Sequence, residues 1–301
     1  IQVSAWRAVL QGETLTLVGR DANNRVWAVR LPVQGVQEAY LPTSGEPESA
    51  TSVPSAASLP SVATPVAPVT EWGEPTNLSR SGSASQPVLV AGQGATCQVF
   101  WWDQFDGLMS AYYNGQSWSP ATASPILVTK AVERVSEQLE TVRGPLAQMP
   151  QIVSDGRGRA HAFWLMVLPS DPGSIQDEQP VQYALMHSAL SLGQSAWSEP
   201  RAVAESALVW RTFTDPSGRL HLLYVRPTHT NGAPAGVYYA SLAAGAVDWS
   251  ARQALYPSIY ARLLLAEQVH LTGAADGEEH VVAAWNDPRL ERTFMANSAD
   301  G

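Results

Sequence analysis

Residues 150–200 read PQIVSDGRGRAHAFWLMVLPSDPGSIQDEQPVQYALMHSALSLGQSAWSEP, and the pattern of this stretch recurs along the chain. It consists of an apolar segment (QIVS), a tight turn (DGRG), a second apolar segment with alternating character (RAHAFWLMV) and, after a loop, a third (QYALMHSAL) before WSEP. Period-two segments joined by Gly and Asp turns predict four strands of an antiparallel meander. Such a sheet cannot bury both faces alone, so copies are expected to pack against each other.

Copies of the turn appear when it is aligned along the sequence. DGRGRAH, which ends at His161, matches DPSGRLH ending at His221 and DANNRVW ending at Trp27. Weaker copies end at Gln98 and His280. The recurrence predicts five repeats of one sheet. Two further markers recur between the turns, a Trp before a short polar segment (Trp6, Trp72, Trp118, Trp197 and Trp249) and an aromatic residue (Tyr40, Tyr112, Tyr183, Tyr239 and Phe294).

The order of these pieces predicts a closed ring. The chain opens with a fourth strand at Trp6, runs through four complete units and stops after a third strand at NSADG. If the ring closes, the N-terminal strand supplies the missing outer strand of the last unit and leaves no unpaired edge. The predicted fold is all-β, a five-bladed β-propeller of four-stranded antiparallel blades in one domain spanning 1–301. The alternative is a piece of a six- or seven-bladed propeller.

Two short motifs resemble those of a known propeller family. SADG at residues 298–301 and GQSW at residues 115–118 are similar to the Asp-box (BNR repeat) of sialidase-like propellers. The pattern of that box is Ser, any residue, Asp, any residue, Gly, two more and Trp; GQSW lacks the Asp and SADG lacks the Trp. The resemblance implies a propeller with the box between third and fourth strands. In that family the box is a folding motif, so the resemblance implies architecture and no catalytic residue.

Composition and charge argue against several classes of function. The chain of 301 residues has 11 Trp, 22 Gly, 22 Pro and 15% charged residues, as an all-β repeat protein needs. Its net charge of −9 argues against a nucleic-acid partner, because phosphate backbones are bound through Lys and Arg. The single Cys97 excludes an internal disulfide and is predicted to be a buried, unreactive thiol. No apolar run approaches the roughly 18 residues of a membrane span, and no signal peptide is visible.

Two insertions interrupt the repeat. Residues 43–70 are rich in Ser, Thr, Pro and Ala and fall between a third and a fourth strand of blade one. They predict a loose surface loop, or an extended strap over a neighbour that is open to O-glycosylation. Residues 128–143 carry apolar side chains at spacings of four, three, four and three from Val128 to Val142, with Gly144 next. This periodicity predicts an amphipathic helix that ends at a glycine cap.

The longer connections predict a ligand face. In a meandering blade, the fourth-to-first connections and the loops between second and third strands lie on one side of the ring. Residues 128–143 are of the first kind, and residues 168–180 and 226–236 are of the second. Because loops on a rigid scaffold carry binding more often than the scaffold does, this side is the predicted face for a ligand or partner. The Pro-rich insertion projects from the other side.

Catalytic and metal-binding motifs are weak in this sequence. No HExxH, P-loop, GxSxG or paired CxxC motif occurs. His161, His221 and His280 occupy equivalent positions of different blades, which predicts a structural role within the repeat and no shared metal. Neither a cofactor nor a metal site is therefore predicted.

Glycoside hydrolysis requires a different set of residues. A glycosidase needs two carboxylates roughly 5 to 10 Å apart, and Glu13 and Glu267 are the two that stand near the beginnings of first strands. Both are expected to be solvated charges. The early Arg motif of the sialidase-like family is not recognisable, so no catalytic residue is assigned. A sialidase would also need three arginines and a Tyr nucleophile, and residues of these types near first strands are Arg143, Arg211, Arg262, Tyr256 and Tyr260.

The favoured function is a non-enzymatic β-propeller, secreted or on a bacterial surface, that binds a protein partner or a glycan through its loop-decorated face. It is open to being a subunit of a larger assembly. A purely structural ring is the first alternative, and a sialidase-like or furanosidase-like glycoside hydrolase is the second. Clustered carboxylates in a funnel would favour the enzyme, whereas an apolar surface patch would favour assembly.

Overall fold

The computed structural model describes residues 3–32, 72–133, 139–167, 183–228, 232–276, 278 and 280–298. These residues form strands and two short 3-10 helices, Ile259–Leu263 and Ala266–Gln268, so the all-β prediction is confirmed. The strands make five sheets that follow one another along the chain, and one hairpin. Sheet 1 contains β1 (Val3–Gln11), β2 (Thr14–Asp21), β3 (Val26–Pro32) and β4 (Thr76–Asn77); sheet 2 contains β5 (Ala84–Ala91), β6 (Cys97–Asp103), β7 (Gly107–Tyr113) and β8 (Thr122–Ala123); the hairpin contains β9 (Leu127–Glu133) and β10 (Leu139–Pro145); sheet 3 contains β11 (Gln151–Ser154), β12 (Arg159–Val167), β13 (Tyr183–Ser191) and β14 (Arg201–Ala204); sheet 4 contains β15 (Val209–Thr214), β16 (Leu220–Arg226), β17 (Gly236–Leu242) and β18 (Gln253–Pro257); sheet 5 contains β19 (Leu271–Ala275), β20 (Val281–Asp287) and β21 (Arg292–Ser298).

Each of the five sheets is an antiparallel meander whose strands lie in chain order. The four strands predicted within residues 150–200 are β11 to β14. The first strands of neighbouring sheets contact one another in series, from β1 through β5, β11 and β15 to β19. Sheets stacked by their faces, with first strands innermost, are the blades of a β-propeller.

Four hydrophobic clusters hold the five sheets together, one at each junction. Alternate side chains of one strand enter different clusters, because successive residues of a strand point to opposite faces. In sheet 3, Ala162 packs toward sheet 2, whereas its neighbour Phe163 packs toward sheet 4. In sheet 4, Leu222 likewise packs on sheet 3 and Leu223 on sheet 5. Every interior sheet therefore buries both faces, which is why its strands read as nearly continuous apolar runs.

The predicted closure by the N-terminal strand is wrong. β1 is the first strand of sheet 1 and pairs with β2, and Trp6 lies inside β1. The local hairpin turns at Gly12, which has a φ of 55°, and closing so short a loop costs far less entropy than pairing with the last sheet. Within the described residues sheet 5 has three strands and receives none from the N-terminus. The number of blades in a complete ring stays a prediction.

The alignment of Trp27 with His161 is off by one strand. The turn after Asp21 joins the second and third strands of sheet 1, whereas the turn after Asp155 joins the first and second strands of sheet 3. The two turns share a sequence because they share a hydrogen-bond pattern. In each, the Asp Oδ1 accepts the backbone N–H groups two and four residues later, at 2.8 to 2.9 Å. An Asx-type turn of this kind suits any strand connection, so it does not identify which one.

The predicted helix over residues 128–143 is also wrong. The segment forms the antiparallel hairpin β9–β10, in which Leu127 pairs with Pro145 and Glu133 with Leu139. Its Val and Thr residues favour strands. Burial alternates along the strand, since Ile126 and Val128 are buried while Leu127 is exposed. The hairpin adds Ile126 and Val128 to the cluster between sheets 2 and 3.

Three predictions on loops fall largely outside the described residues. The insertion at 43–70 and the loop at 168–180 lie there entirely. The aromatic marker Tyr40 also lies outside the described residues. Of the loop at 226–236, the described part reaches Thr228 and resumes at Gly232. None of the helices in the described ranges is long and apolar enough to cross a membrane.

Candidate binding clefts between the sheets

Neighbouring sheets leave open clefts where the fourth strand of one meets the third-to-fourth connection of the next. Cleft 1/2, between sheets 1 and 2, has a volume of about 340 Å³. Cleft 3/4, between sheets 3 and 4, has a volume of about 470 Å³. Both lie on the side opposite the loop-decorated face, because second-to-third loops and third-to-fourth connections leave a meander at opposite ends.

Cleft 1/2 combines aromatic rings with charged groups. The Arg30 guanidinium lies 4.0 Å from the centre of the Tyr113 ring, which fixes it by a cation–π contact. Trp118 tilts against the same Tyr113, with ring centres 5.2 Å apart. Glu74 enters from the segment before β4, and Gln116 belongs to the turn before Trp118. The cleft therefore offers an indole, a guanidinium and a carboxylate within one concave surface.

Cleft 3/4 repeats this combination with different residues. Arg201 at the start of β14 pairs with Asp248 across the cleft at 3.1 Å. Arg252 donates from Nε to the backbone carbonyl of Val203 at 2.7 Å, which ties the two sheets together. Trp249, next to Asp248, completes the lining. Both members of the Arg201–Asp248 pair are well exposed, at 61% and 89% of the side chain, so both are open to a ligand.

We call the corresponding position between sheets 2 and 3 the 2/3 seam. Trp197 occupies the same place before β14 as Trp118 occupies before β8. Its indole N–H donates to the backbone oxygen and to the Oγ of Ser124, both at 3.0 Å. Its ring packs on Phe100 with centres 5.5 Å apart. The indole is thus held at this junction by two hydrogen bonds and by ring packing.

Indole, guanidinium and carboxylate together suit a neutral polyhydroxylated ligand. An indole gives an apolar face for C–H groups, whereas Arg donates and a carboxylate accepts hydrogen bonds in fixed directions. A concave site with apolar walls and a few oriented polar groups is the usual form of a small-ligand site.

A buried histidine pair lies behind cleft 3/4. His187 is joined to His161, with His161 Nδ1 and His187 Nε2 2.9 Å apart, and it accepts from the Trp249 indole N–H at 3.4 Å through Nδ1. Burial and then the adjacent His161 lower the pKa of His187 to about 3. His161 Nε2 faces Asp155 Oδ2 at 3.8 Å. These hydrogen bonds place the proton of neutral His187 on Nε2, where it is donated to His161.

The other residues singled out in the sequence are dispersed. His221 is buried in sheet 4, where Asp215 lies 3.3 Å from its Nε2, and burial lowers its pKa despite that carboxylate. His280 is exposed beside Asp276, whose hydrogen bond raises its pKa. Cys97 is buried, and burial raises the pKa of its thiol to about 12, which agrees with the prediction of an unreactive thiol.

The residues considered for hydrolysis are not assembled around one centre. Glu13 is exposed in the β1–β2 turn, and Glu267 is exposed in the second 3-10 helix. Tyr256 belongs to the cluster between sheets 4 and 5, where its ring stacks on Phe294 at 4.6 Å. The remaining residues of that set are the exposed Arg143 on β10, the exposed Arg211 on β15, Arg262 in the first 3-10 helix and the partly exposed Tyr260 beside it.

The predicted loop face carries an apolar pocket of about 430 Å³. Pro227, Pro234 and Pro257 line it, and Ile259, which is 73% exposed, lies at its rim. Its polar groups include the hydroxyls of Thr228 and Ser258. This chemistry suits an apolar protein segment better than a sugar.

The sequence analysis did not predict the cleft residues, although the Trp positions and two of their charged neighbours were visible in the sequence. The repeat pattern identifies Trp118 and Trp249 as markers of the repeat and does not predict that they line clefts. The charged partners Asp248 and Arg252 stand within three residues of Trp249 in the sequence. Arg30 and Glu74 were beyond reach, because the insertion separates them in the chain.

No protein-family model matches the sequence, and no curated protein sequence matches it. Solved structures resemble its fold. An Aleuria aurantia lectin in complex with α-methyl-L-fucoside is 10% identical over 98% of this chain and 73% of that one, with a TM-score of 0.39. An ulvan lyase, a polysaccharide lyase, is 9% identical over 98% and 67%, with a TM-score of 0.44. The β-propeller domain of the Trilobed protease from Pyrococcus furiosus is 7% identical over 99% and 83%, with a TM-score of 0.37. The likeness is one of fold alone, and the assignment as a β-propeller rests on the order and packing of the sheets.

Proposed function

We propose that this chain is a non-enzymatic, extracellular β-propeller that binds carbohydrate in clefts 1/2 and 3/4. The observation that carries the proposal is the repeated combination of an indole, an arginine and a carboxylate in both clefts. A protein with two such sites binds clustered glycans with a strength that exceeds either site alone. The site lies on the side of the ring opposite the face expected from loop lengths.

The test is a glycan array probed with the whole chain, followed by calorimetry with the best ligand. We expect two sites per chain. Trp118→Ala weakens binding in cleft 1/2 by at least about tenfold because it removes the aromatic face, and it reduces the measured stoichiometry to one. Trp249→Phe keeps a ring in cleft 3/4 and is expected to retain much of the affinity there.

Phe105→Ala is the matched control, because Phe105 is 83% exposed in the loop between β6 and β7, on the other side of the ring. It should leave both sites intact. The absence of binding across a broad array contradicts the proposal. So does a glycan whose affinity and stoichiometry are the same for Trp118→Ala as for the original chain.

A protein partner at the loop face is the second candidate, favoured by the exposed Ile259 beside three prolines. A partner that is lost with Ile259→Asp and retained with Trp118→Ala would favour this surface. Incorporation into a larger surface assembly belongs to this candidate.

A sialidase-like affiliation is supported by GQSW, which lies between the third and fourth strands of sheet 2. The glycoside hydrolase alternative is tested with chromogenic glycosides. Turnover that Glu13→Gln or Glu267→Gln abolishes would favour an enzyme.

A further inference from the structure

Sheet 1 exposes an apolar face that no other described sheet covers. Its side chains form cross-strand rows on three strands, one of them Leu10, Leu15 and Leu31. Trp6 and Leu10 are 48% and 54% exposed. The face continues into a groove of about 680 Å³ beside Trp72, and among the described residues that line this groove Glu74 alone is ionisable. The other members of the rows are Ala8, Leu17 and Val29, and Gly19 and Trp27.

Sheet 5 exposes a second, largely apolar face at the other end of the series, and this face ends at the exposed Asp276–His280 pair. One cross-strand row is Thr272, Ala284 and Met295, and the next is Ala274, Val282 and Asn297. Met295 is 72% exposed and Val282 is 42% exposed. The solvated face of an antiparallel sheet is normally polar, whereas these two rows contain no ionisable group.

The two faces are complementary in direction. At each of the four junctions, the face that a sheet turns toward the C-terminal end of the series packs on the opposite face of the next sheet. Among the described residues, no sheet packs on the first face of sheet 1 or on the last face of sheet 5. The pair of faces left over is therefore of the same kind as the pairs that already form the four junctions.

The two faces are also complementary in side-chain size. Sheet 1 presents Trp and Leu, whereas sheet 5 presents mainly Ala, Thr and Val around the single long side chain of Met295. Large side chains set against small ones pack without voids. Contiguous exposed apolar patches mark interaction sites on proteins.

We propose that these faces bind each other between copies of this chain, with sheet 1 of one copy packed on sheet 5 of another. Such an interface joins different surfaces of the two partners, so it is head-to-tail and can propagate beyond a dimer. The proposal does not depend on cleft 3/4, which lies at another junction, whereas Glu74 lines both this groove and cleft 1/2.

Sedimentation velocity over a wide range of concentration tests it. We expect dimers and longer species to grow with concentration. Leu10→Glu and Met295→Lys each place a charge in the interface and weaken association by at least about 100-fold. Both positions are largely exposed in the single chain, so the urea unfolding midpoint should stay unchanged. Phe105→Glu places a charge at an 83% exposed site elsewhere and should leave association intact.

Mixing the two variants gives the decisive measurement. Leu10→Glu keeps an intact sheet 5 face and Met295→Lys keeps an intact sheet 1 face, so the mixture should form one-to-one dimers and nothing longer. A chain that is monomeric at every concentration overturns the proposal. A dimer that survives in either single variant also overturns it, because it must use another surface.

Discussion

The 2/3 seam and cleft 3/4 are built from the same repeat element, and they differ in how the indole is hydrogen-bonded and in the charged groups beside it. Trp197 and Trp249 stand at matching positions before the fourth strands of sheets 3 and 4. The indole N–H of Trp197 finds two oxygens of Ser124 at 3.0 Å. The indole N–H of Trp249 finds a histidine nitrogen at 3.4 Å. The preceding sheet, and not the motif, decides which hydrogen bonds the indole makes.

This difference separates two uses of one side chain. In the 2/3 seam the indole is fixed by hydrogen bonds and by Phe100, so its contribution is to stability. In cleft 3/4 the space beside the indole is bordered by the Arg201–Asp248 pair, which is exposed to solvent. We therefore expect seam residues to govern unfolding and cleft residues to govern ligand binding.

Trp197→Ala should have the largest effect of the substitutions that compare the two regions. It removes a packed indole and two hydrogen bonds, and we expect the free energy of unfolding to fall by about 3 kcal/mol. Urea denaturation measures the change. Trp72→Ala is the control, since Trp72 is 48% exposed and its truncation should cost less than about 1 kcal/mol. If the two variants lost the same free energy of unfolding, the indole of Trp197 would contribute no more to stability than an exposed indole does.

Acid pH should weaken the junction between sheets 3 and 4. His187 has a pKa of about 3 in the fold against an ordinary 6.5. Between those values the unfolded chain binds one more proton, so the free energy of unfolding falls as pH decreases from 6.5 toward 3. The contribution of this group is fully present above pH 6.5 and changes by at most about 1.4 kcal/mol per pH unit.

Urea titrations at several pH values measure this slope. His187→Phe should lower the slope between pH 4 and 6, because the group that titrates is gone. His280→Gln is the control. Asp276 raises the pKa of His280, so the stability that His280 contributes is present below its ordinary pKa and is lost as pH rises. This pH dependence is opposite in sign to that of His187. An unchanged slope in His187→Phe would contradict the assignment to His187.

The sequence predicted the sheets better than their ends. Apolar segments such as QIVS and RAHAFWLMV each form a strand as predicted. They are apolar along their length because both faces of an interior sheet are buried. The pairing of the N-terminal strand was predicted wrongly. Both β2 and the last sheet could pair with this strand, and the shorter loop to β2 favours β2. The prediction of a helix over 128–143 was wrong because the apolar residues recur at helical spacings, whereas the Val and Thr residues among them favour strands.

The candidate clefts were harder to predict than the fold. Trp118 and Trp249 were visible as markers, but whether an indole lines a cleft depends on a residue of the preceding sheet. Ser124 lies 73 positions from Trp197. Such pairings follow from the stacking of sheets, which a local pattern does not contain. The exposed faces of sheets 1 and 5 were not predicted either, because the predicted closure of the ring would have buried them.

Ser124→Ala should have an intermediate effect on the 2/3 seam. It removes one acceptor of the Trp197 indole and leaves the backbone oxygen of the same residue in place. We expect the free energy of unfolding to fall by about 1 kcal/mol. The measurement is again urea denaturation, with Ser195→Ala, an exposed position in the turn before Trp197, as the control. A loss as large as that of Trp197→Ala would mean that Ser124 has a further role.

Arg201→Ala should have the smallest effect on stability and thereby sharpen the comparison. The Arg201–Asp248 pair is exposed on both sides, and exposed ion pairs contribute little because water screens them. We expect the free energy of unfolding to change by less than about 0.5 kcal/mol, while affinity for a glycan in cleft 3/4 is lost. Urea denaturation and calorimetry on one preparation measure both quantities. A large loss of stability with intact ligand binding would invert the roles assigned to the seam and the cleft, since the pair would then hold sheets 3 and 4 together as Trp197 holds sheets 2 and 3.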